Sequence, residues 1–390
     1  MRTKLSEVSD LIAGYAFKSK DFGENYVDKV IKIANITPPR VDMKSLSSFD
    51  MSKYDRAKLQ KYIARRGDFV FAMTGATIGK IGRVEEGNAF LNQRVLMFKP
   101  HDDVDKDFIY YLLLQREFYQ YVLNHIDSES AQPNISAGTV GKYEFELPPY
   151  KIQRRIGLLL RAIDEKAENN KRINENLLQQ MEALYKGWFV DYIPFGGSRP
   201  ADWEKSDIYS IADIIYGAPF SSKLFNTDGE GMPIIRIRDL KEQAFVTYTT
   251  ENHPRGHLIQ PGDIVVGMDG EFRPYIWGNT EAWLNQRVCI FDNKRPKGKA
   301  FVLFTIKPLL HRIEQTQVAT TVIHIGKKDY DAFEFFLPNN DILDQFDEAT
   351  SPMIDQIVVN CLENKRLAEL RDSLLPRLMT GELDVSDIDL

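Results

Sequence analysis

Two cysteines in 390 residues, Cys289 and Cys361, are too few for a disulfide framework or a thiolate zinc site, and the six histidines are scattered. Neither a redox role nor a structural metal is expected, so no metal ligand is named. Runs of apolar residues long enough to cross a bilayer are also missing. The first residues, Met1-Arg2-Thr3-Lys4-Leu5-Ser6-Glu7, lack the apolar core and small-residue cleavage site of an export signal, from which a cytoplasmic location without membrane contact is expected. Excess positive charge is absent too, with 50 Lys and Arg against 56 Asp and Glu for a formal net charge of −6. That balance weighs against nucleic-acid binding, since phosphate contact demands a basic surface. It is uneven, however. Acidic residues crowd the tail (Glu382, Asp384, Asp387, Asp389) and the helices, leaving basic patches elsewhere, and partner chains can add phosphate contacts.

Catalytic signatures are equally scarce. Gly75-Ala76-Thr77-Ile78-Gly79-Lys80 looks like a phosphate loop, but it has one residue too few between its glycines and Ile81 where Ser or Thr is required. Leu147-Pro148-Pro149-Tyr150 resembles the Pro-Pro-Tyr core of amino-group DNA methyltransferases, yet leucine cannot hydrogen-bond a target amine and no glycine-rich methyl-donor motif accompanies it. The stretch Pro200-Ala201-Asp202-Trp203-Glu204-Lys205 has the wrong carboxylate and lysine spacing for a nuclease and is read as a surface linker. No nucleophile and base pair can be assigned without geometry. The chain is expected to be non-catalytic.

What the sequence does contain is a repeat of itself. Leu91-Asn92-Gln93-Arg94-Val95 returns as Leu284-Asn285-Gln286-Arg287-Val288. Other matches fall in the same order. Asp10, Gly14, Phe17, Ser19-Lys20 and Phe22 match Asp213, Gly217, Phe220, Ser222-Lys223 and Phe225; Gly67-Asp68 and Met73-x-Gly75 match Gly262-Asp263 and Met268-x-Gly270. Glu144-Phe145-x-Leu147-Pro148 returns as Glu334-Phe335-x-Leu337-Pro338, and Asn170-Lys171-Arg172 as Asn364-Lys365-Arg366. Each copy opens with short strand-like runs around 29–33 and 68–73, or 233–237 and 263–268, punctuated by glycine turns. The pattern predicts an aromatic-rich helix over about 108–123 in the first copy and one over 301–313, broken near Pro308, in the second.

Both copies close with a long helical stretch. In the first, Ile156, Leu160, Ile163, Ala167, Leu177, Met181 and Leu184 recur at heptad spacing, interrupted by Asn170 and Asn174. In the second, Met353, Ile357, Leu367, Leu374 and Leu378 form a stripe around Asn360 and Asn364, with Pro376 expected to kink its end. Buried asparagines at such positions fix register, so Asn170 is expected near Asn364; the plainer alternative is that each helix packs only on its own globular domain. A helix from 152 to 186 would span roughly 50 Å, longer than a compact domain needs, which favours a spacer. The segments are 1–149, a first globular domain; 150–190, a long helix; 191–340, a second globular domain; and 341–390, a second long helix and tail.

Taken in order and in duplicate, these elements resemble the specificity subunits of type I restriction-modification systems. The likeness covers essentially the whole chain. Leu11-Ile12-x-Gly14-x-x-Phe17 and Ile214-Ile215-x-Gly217-x-x-Phe220 look like the family's domain opening, and the Gly-Asp, Thr-Gly and Leu-Asn-Gln-Arg elements look like the core of its target-recognition domains. The stretch from Asn170 to Tyr192, and Leu374-Leu375-Pro376 through Leu383, look like its two conserved regions. The resemblance implies an α+β fold with two pseudo-repeated target-recognition domains, joined by two long antiparallel coiled-coil helices with pseudo-twofold symmetry. It implies a bipartite, asymmetric double-stranded DNA target with a spacer set by the helices. Two methyltransferase subunits and two motor-nuclease subunits are the implied partners, with S-adenosylmethionine, ATP and Mg bound on them and no cofactor in this chain. Self-association through the helices is a further expectation for the isolated chain.

By position in loops, the candidate DNA contacts are Lys18, Ser19, Lys20, Thr74, Thr77, Lys80, Gln132, Asn134 and Ser136 in the first copy. Ser221, Ser222, Lys223, Arg273, Tyr275, Thr320, Thr321, Lys327 and Lys328 take comparable places in the second. Amides read adenine and Arg reads guanine, whereas Lys and hydroxyls more often hold phosphate, and the plainer role for many of these is to cap turns. Asn92-Gln93-Arg94 and Asn285-Gln286-Arg287 are identical in domains expected to read different bases, so structure or phosphate contact is their expected role. Two rival readings are a DNA methyltransferase fused to recognition domains, disfavoured by the missing motifs, and a coiled-coil scaffold whose duplicated domains bind something other than DNA.

Overall fold

The structure is a computed structural model that describes residues 2–127, 132–270, 272–316 and 324–386. They gather into two compact units, Met1–Asp164 with Glu369–Leu390, and Glu165–Ala368.

In the first unit the strands Ser9–Ala13, Val95–Pro100, Phe69–Ala72 and Ile81–Arg83 lie side by side in that order, extended by Arg40–Val41 and Ile36–Thr37. The run Phe69-Val70-Phe71-Ala72 shows no polar alternation because both faces are covered: Phe69 and Phe71 enter one apolar cluster, Val70 and Ala72 another. The second unit repeats the arrangement with Ala212–Tyr216, Val288–Asn293, Ile264–Gly267 and Pro274–Ile276. Ile264 and Val266 face one cluster there and Val265 the other. Each unit also has a second, mixed sheet with one parallel pairing, Phe90 opposite Val30 in the first and Ile234 opposite Trp283 in the second. The duplication read from scattered residue matches is thus a duplication of strand order.

Three local expectations fail. The aromatic stretch of the first unit forms two helices, Lys106–Leu113 and Arg116–Asn124, because the amides of Leu114 and Gln115 turn back to the carbonyls of Tyr111 and Leu112 and close the first helix with a tight turn. In the second unit the helix Lys299–Thr316 runs unbroken through Pro308. Burial of Phe304 and Ile306 before the proline and of Leu309 and Leu310 after it offsets the lost backbone bond. The second long helix, Asn340–Met379, includes Pro376 in its last turn, with Leu375 and Leu378 buried on either side. The 200–205 stretch is no linker either. Trp203 is buried, its ring centroid 5.8 Å from that of Phe189, and Glu204–Asp207 is a strand paired with Glu334–Leu337.

The first long helix spans Tyr150–Phe189, 40 residues or about 60 Å at the usual rise. A stripe of buried and half-buried positions, 156, 160, 163, 167, 170, 174, 177, 181, 184 and 188, steps by three and four along it, which is the stripe the heptads predict. Such a stripe cannot stay dry alone, so the compact units divide both long helices where the sequence segments keep each whole. Ile156 and Leu160 join Leu375, Leu378 and Val385 in the first unit's core, while Met181 joins Leu343, Phe346, Ile354 and Ile357 in the second's. Within the second unit the helices run antiparallel. Asn170 Nδ2 donates to Asn364 Oδ1 at 2.9 Å, and one turn along Asn360 Nδ2 donates to Asn174 Oδ1 at 2.7 Å, deep in the seam. Each amide finds its partner, the Asn174–Asn360 pair buried and the Asn170–Asn364 pair part-buried, which makes the register specific.

Candidate nucleic-acid interface

Both units build the same three-segment platform from backbone bonds. In the first, the Asn92-Gln93-Arg94 turn is closed by the Val95 amide on the Asn92 carbonyl (2.9 Å) and docked by the Asn92 amide on Ile31 (3.0 Å). The Met73 amide then donates to the Arg94 carbonyl (3.0 Å), and Ile135 donates to Met73 (3.0 Å). In the second unit the same bonds link Val288 to Asn285, Asn285 to Ile235, Met268 to Arg287 and Ile325 to Met268. The opening glycine explains itself here. A β-carbon on Gly14 would lie 2.1 Å from the Asn92 carbonyl oxygen, and one on Gly217 would lie 2.0 Å from that of Asn285. Only glycine admits such close backbone approach. The recurrent Leu-Asn-Gln-Arg turn is therefore the keystone of the frame.

Side chains rising from this platform differ between the units. Arg94 donates to Asn134 Oδ1 at 3.1 Å and so fixes that amide, while Thr74 is buried with its hydroxyl on the Pro133 carbonyl at 2.9 Å. At the matching places the second unit has Arg287, His324 and Asp269: His324 Nδ1 lies 2.6 Å from Asp269 Oδ1 and 3.1 Å from the Arg287 guanidinium. One arginine in one frame thus meets an amide in one unit and an imidazole with a carboxylate in the other. Varied side chains on a constant frame are what two different readouts require.

The remaining candidates divide by what holds them. Lys18, Ser19 and Lys20 are exposed on a short loop, where the Lys18 amide donates to the Tyr54 hydroxyl at 3.0 Å. Ser221, Ser222 and Lys223 occupy the matching exposed loop, held by the Ser221 amide on Glu251 at 2.6 Å. Lys80 and Gln132 are exposed, and Thr77 is half-buried, its hydroxyl 3.4 Å from the Thr74 carbonyl. Ser136 caps the helix Ala137–Gly141 by accepting from the Thr139 amide at 3.0 Å, a local duty that occupies it. Arg273 is exposed and Tyr275 half-buried in the strand Pro274–Ile276. Lys327 pairs with Asp331 at 3.3 Å and Lys328 is exposed on the same short helix. Thr320 and Thr321 lie outside the described residues.

Sequence reasoning missed one feature near the Lys18 loop. The exposed basic side chains Lys53, Arg56, Lys58 and Lys61 follow closely on one another, with Tyr54 and Tyr62 among them. Tyr15 packs against both tyrosines, with ring centroids 5.9 Å from Tyr54 and 5.7 Å from Tyr62. The signal was legible as a local run of positive charge and aromatics that the overall acidic balance concealed.

Electrostatics separates the units beneath the platform as well. Asp68 is buried, with Lys99 at 2.5 Å and Lys106 at 2.6 Å. Burial works to raise its carboxyl, but hydrogen bonds from Lys106, Lys99 and the Arg65 amide outweigh it and hold the group below the usual range. The counterpart Asp263 keeps only the matching amide bond, from Gln260 at 2.7 Å, and burial leaves its carboxyl raised. Among the described residues no cluster of His, Cys, Asp or Glu forms a metal site, and no helix is long and apolar enough to cross a membrane.

The model of the type I restriction modification DNA specificity domain matches residues 1–179 and again 200–365. The MjaIX specificity subunit of Methanocaldococcus jannaschii is 23% identical over 318 residues, covering 76% of this chain and 73% of its own. The HindI specificity subunit of Haemophilus influenzae is 21% identical over 403 residues, covering 83% and 88%. Among solved structures, the type I restriction-modification S subunit of M. genitalium aligns with 99% of this chain and 96% of its own at a TM-score of 0.57 and 15% identity, a likeness of fold.

Proposed function

The chain belongs to the type I restriction modification DNA specificity family, and from that membership we propose that it selects the DNA target of a type I complex, each repeat reading one half of an asymmetric bipartite site. The observation that carries this reading is the constant frame with variable side chains: the Leu-Asn-Gln-Arg platform is bonded identically in both units, while Arg94 meets Asn134 and Arg287 meets His324 and Asp269. Two heads that share a scaffold and differ at its surface discriminate two unlike base sequences.

In this reading the paired long helices, a pseudo-twofold coiled coil, set the spacer between the half-sites and dock two methyltransferase subunits. The chain itself is non-catalytic; S-adenosylmethionine, ATP and Mg belong to the methyltransferase and motor-nuclease partners. Of the candidates, Asn134, Lys18, Lys20, Lys80 and Gln132 in the first unit, and Lys223, Arg273, Lys328, Thr320 and Thr321 in the second, are proposed to face DNA. Ser136 and Thr74 support the loops that carry them. Arg94 and Arg287 orient neighbours, a positioning role. Methylome sequencing of cells with and without the gene tests the assignment. Loss of one bipartite adenine-methylation motif is expected, whereas an unchanged methylome would return the chain to the scaffold alternative.

A further inference from the structure

The two repeats share a frame but not a charge. Between residues 15 and 66 the first copy carries twelve Lys and Arg against six Asp and Glu, while the matching stretch 218–261 of the second carries five of each. Part of the excess lies near one loop, where Lys53, Arg56 and Lys58 pair with Asp50, Asp28 and Asp55 while Lys61 does not. Tyr54 joins the basic run to the Lys18 loop, its hydroxyl accepting from the Lys18 amide at 3.0 Å and donating to Asp21 at 2.6 Å. Tyr62 meets Tyr15 from the same side, with the Lys61 ammonium 5.0 Å from the Tyr62 ring centre. Lys18, Lys20 and Lys61 are exposed, and none has an ion-pair partner among the described residues. In the second unit Lys18 is replaced by Ser221, and the loop is held by the carboxylate of Glu251 at 2.6 Å where the first unit uses the neutral Tyr54.

We propose that Lys18 and Lys20 of this loop, with Lys61 beside it, form a phosphate grip in the first unit that the second lacks, so that the two heads hold DNA by unequal means. The first head anchors by charge and contributes most of the salt dependence; the second depends on contacts to bases. The physical ground is counterion release: each phosphate neutralised adds about 0.9 to the slope of log affinity against log salt. Each loop has one carboxylate beside it, Asp21 in the first unit and Glu251 in the second, so the difference in potential comes from the ammonium groups: Lys18, where the second unit has Ser221, and Lys61, which lies over the Tyr62 ring.

The inference rests on the DNA-reading assignment and is tested with the full chain and a duplex of arbitrary sequence. Two variants remove three positive charges each: Lys18→Ala/Lys20→Ala/Lys61→Ala in the first unit and Lys223→Ala/Arg238→Ala/Arg255→Ala in the second. All six side chains are exposed, so thermal unfolding of both variants should match the parent. The first triple is expected to lower the salt slope by about 2 to 3, and the second by less than about 1. Equal losses, or a larger loss in the second triple, overturn the inequality while leaving DNA binding intact. A parent chain that binds no duplex at any salt concentration overturns the DNA-reading assignment itself.

Discussion

The two units solve one structural problem with one backbone and two chemistries. The Gly-Asp turn that opens the central strand is bonded alike in both: the Gly67 amide on Val84 matches the Gly262 amide on Trp277, each at 2.7 Å. The aspartate after it is not alike, since Asp68 holds two lysines and Asp263 holds none within ion-pair distance. Backbone geometry is inherited from the duplicated ancestor because every strand depends on it. Side-chain electrostatics is free to drift wherever a neighbour can compensate.

Four experiments sharpen or break this comparison. The largest effect belongs to the shared frame: Gly14→Ala and Gly217→Ala each drive a methyl into backbone that cannot retreat, and each should cost roughly 3 kcal/mol or more in chemical denaturation. Marked inequality between the two would break the claim of a common frame. Next come the aspartates. Asp68→Asn strands two lysines and should cost about 2 kcal/mol, discounted because both lysine side chains are about a third exposed, while Asp263→Asn should be near neutral. Their pH dependence has opposite sign. The lowered Asp68 carboxyl contributes stability present above its unfolded value and lost as pH falls through its folded value, in the acid range; the raised Asp263 carboxyl binds its proton more readily when folded, so its contribution falls as pH rises through its folded value. Unfolding curves of the two variants and the parent across acid to neutral pH would check both signs.

A smaller effect tests the seam. Asn174→Leu alone leaves the Asn360 amide buried without its partner and should cost about 1 to 2 kcal/mol; pairing it with Asn360→Leu should recover most of that loss. Failure of the double variant to recover would mean that the amides' other bonds, from Asn174 to the Ile357 carbonyl and to Asn360 from Gln356, outweigh the bond between them. Smallest of all, Arg94→Ala and Arg287→Ala should change stability by under about 1 kcal/mol each, since both arginines are exposed, while each alters base preference in its own unit only. Selection of preferred duplexes by each variant would show it.

The duplication, the heptad stripe and the Asn170–Asn364 pairing were legible because burial leaves period and polar interruptions in a sequence. The Leu-Asn-Gln-Arg turn was visible as a repeat, but its meaning needed coordinates: nothing in one chain says that Gly14 exists to admit the Asn92 carbonyl. Proline misled at 308, since apolar packing on both sides of a helix overrides a missing amide. Trp203 was passed over because its neighbours are polar, although its indole anchors the entrance to the second unit beside Phe189, Tyr192 and Phe195. Contact residues were the least legible. Ser136 and Asn134 lie two apart in one loop, yet one caps a helix while the other is held by Arg94, and only geometry separates them.

The most direct test is selection from a random duplex library with the full chain, repeated with Asn134→Ala. Two unlike clusters of fixed bases separated by unread positions are expected, and the substitution should relax one cluster while leaving the other intact. A single contiguous motif, or both clusters relaxing together, would contradict the account.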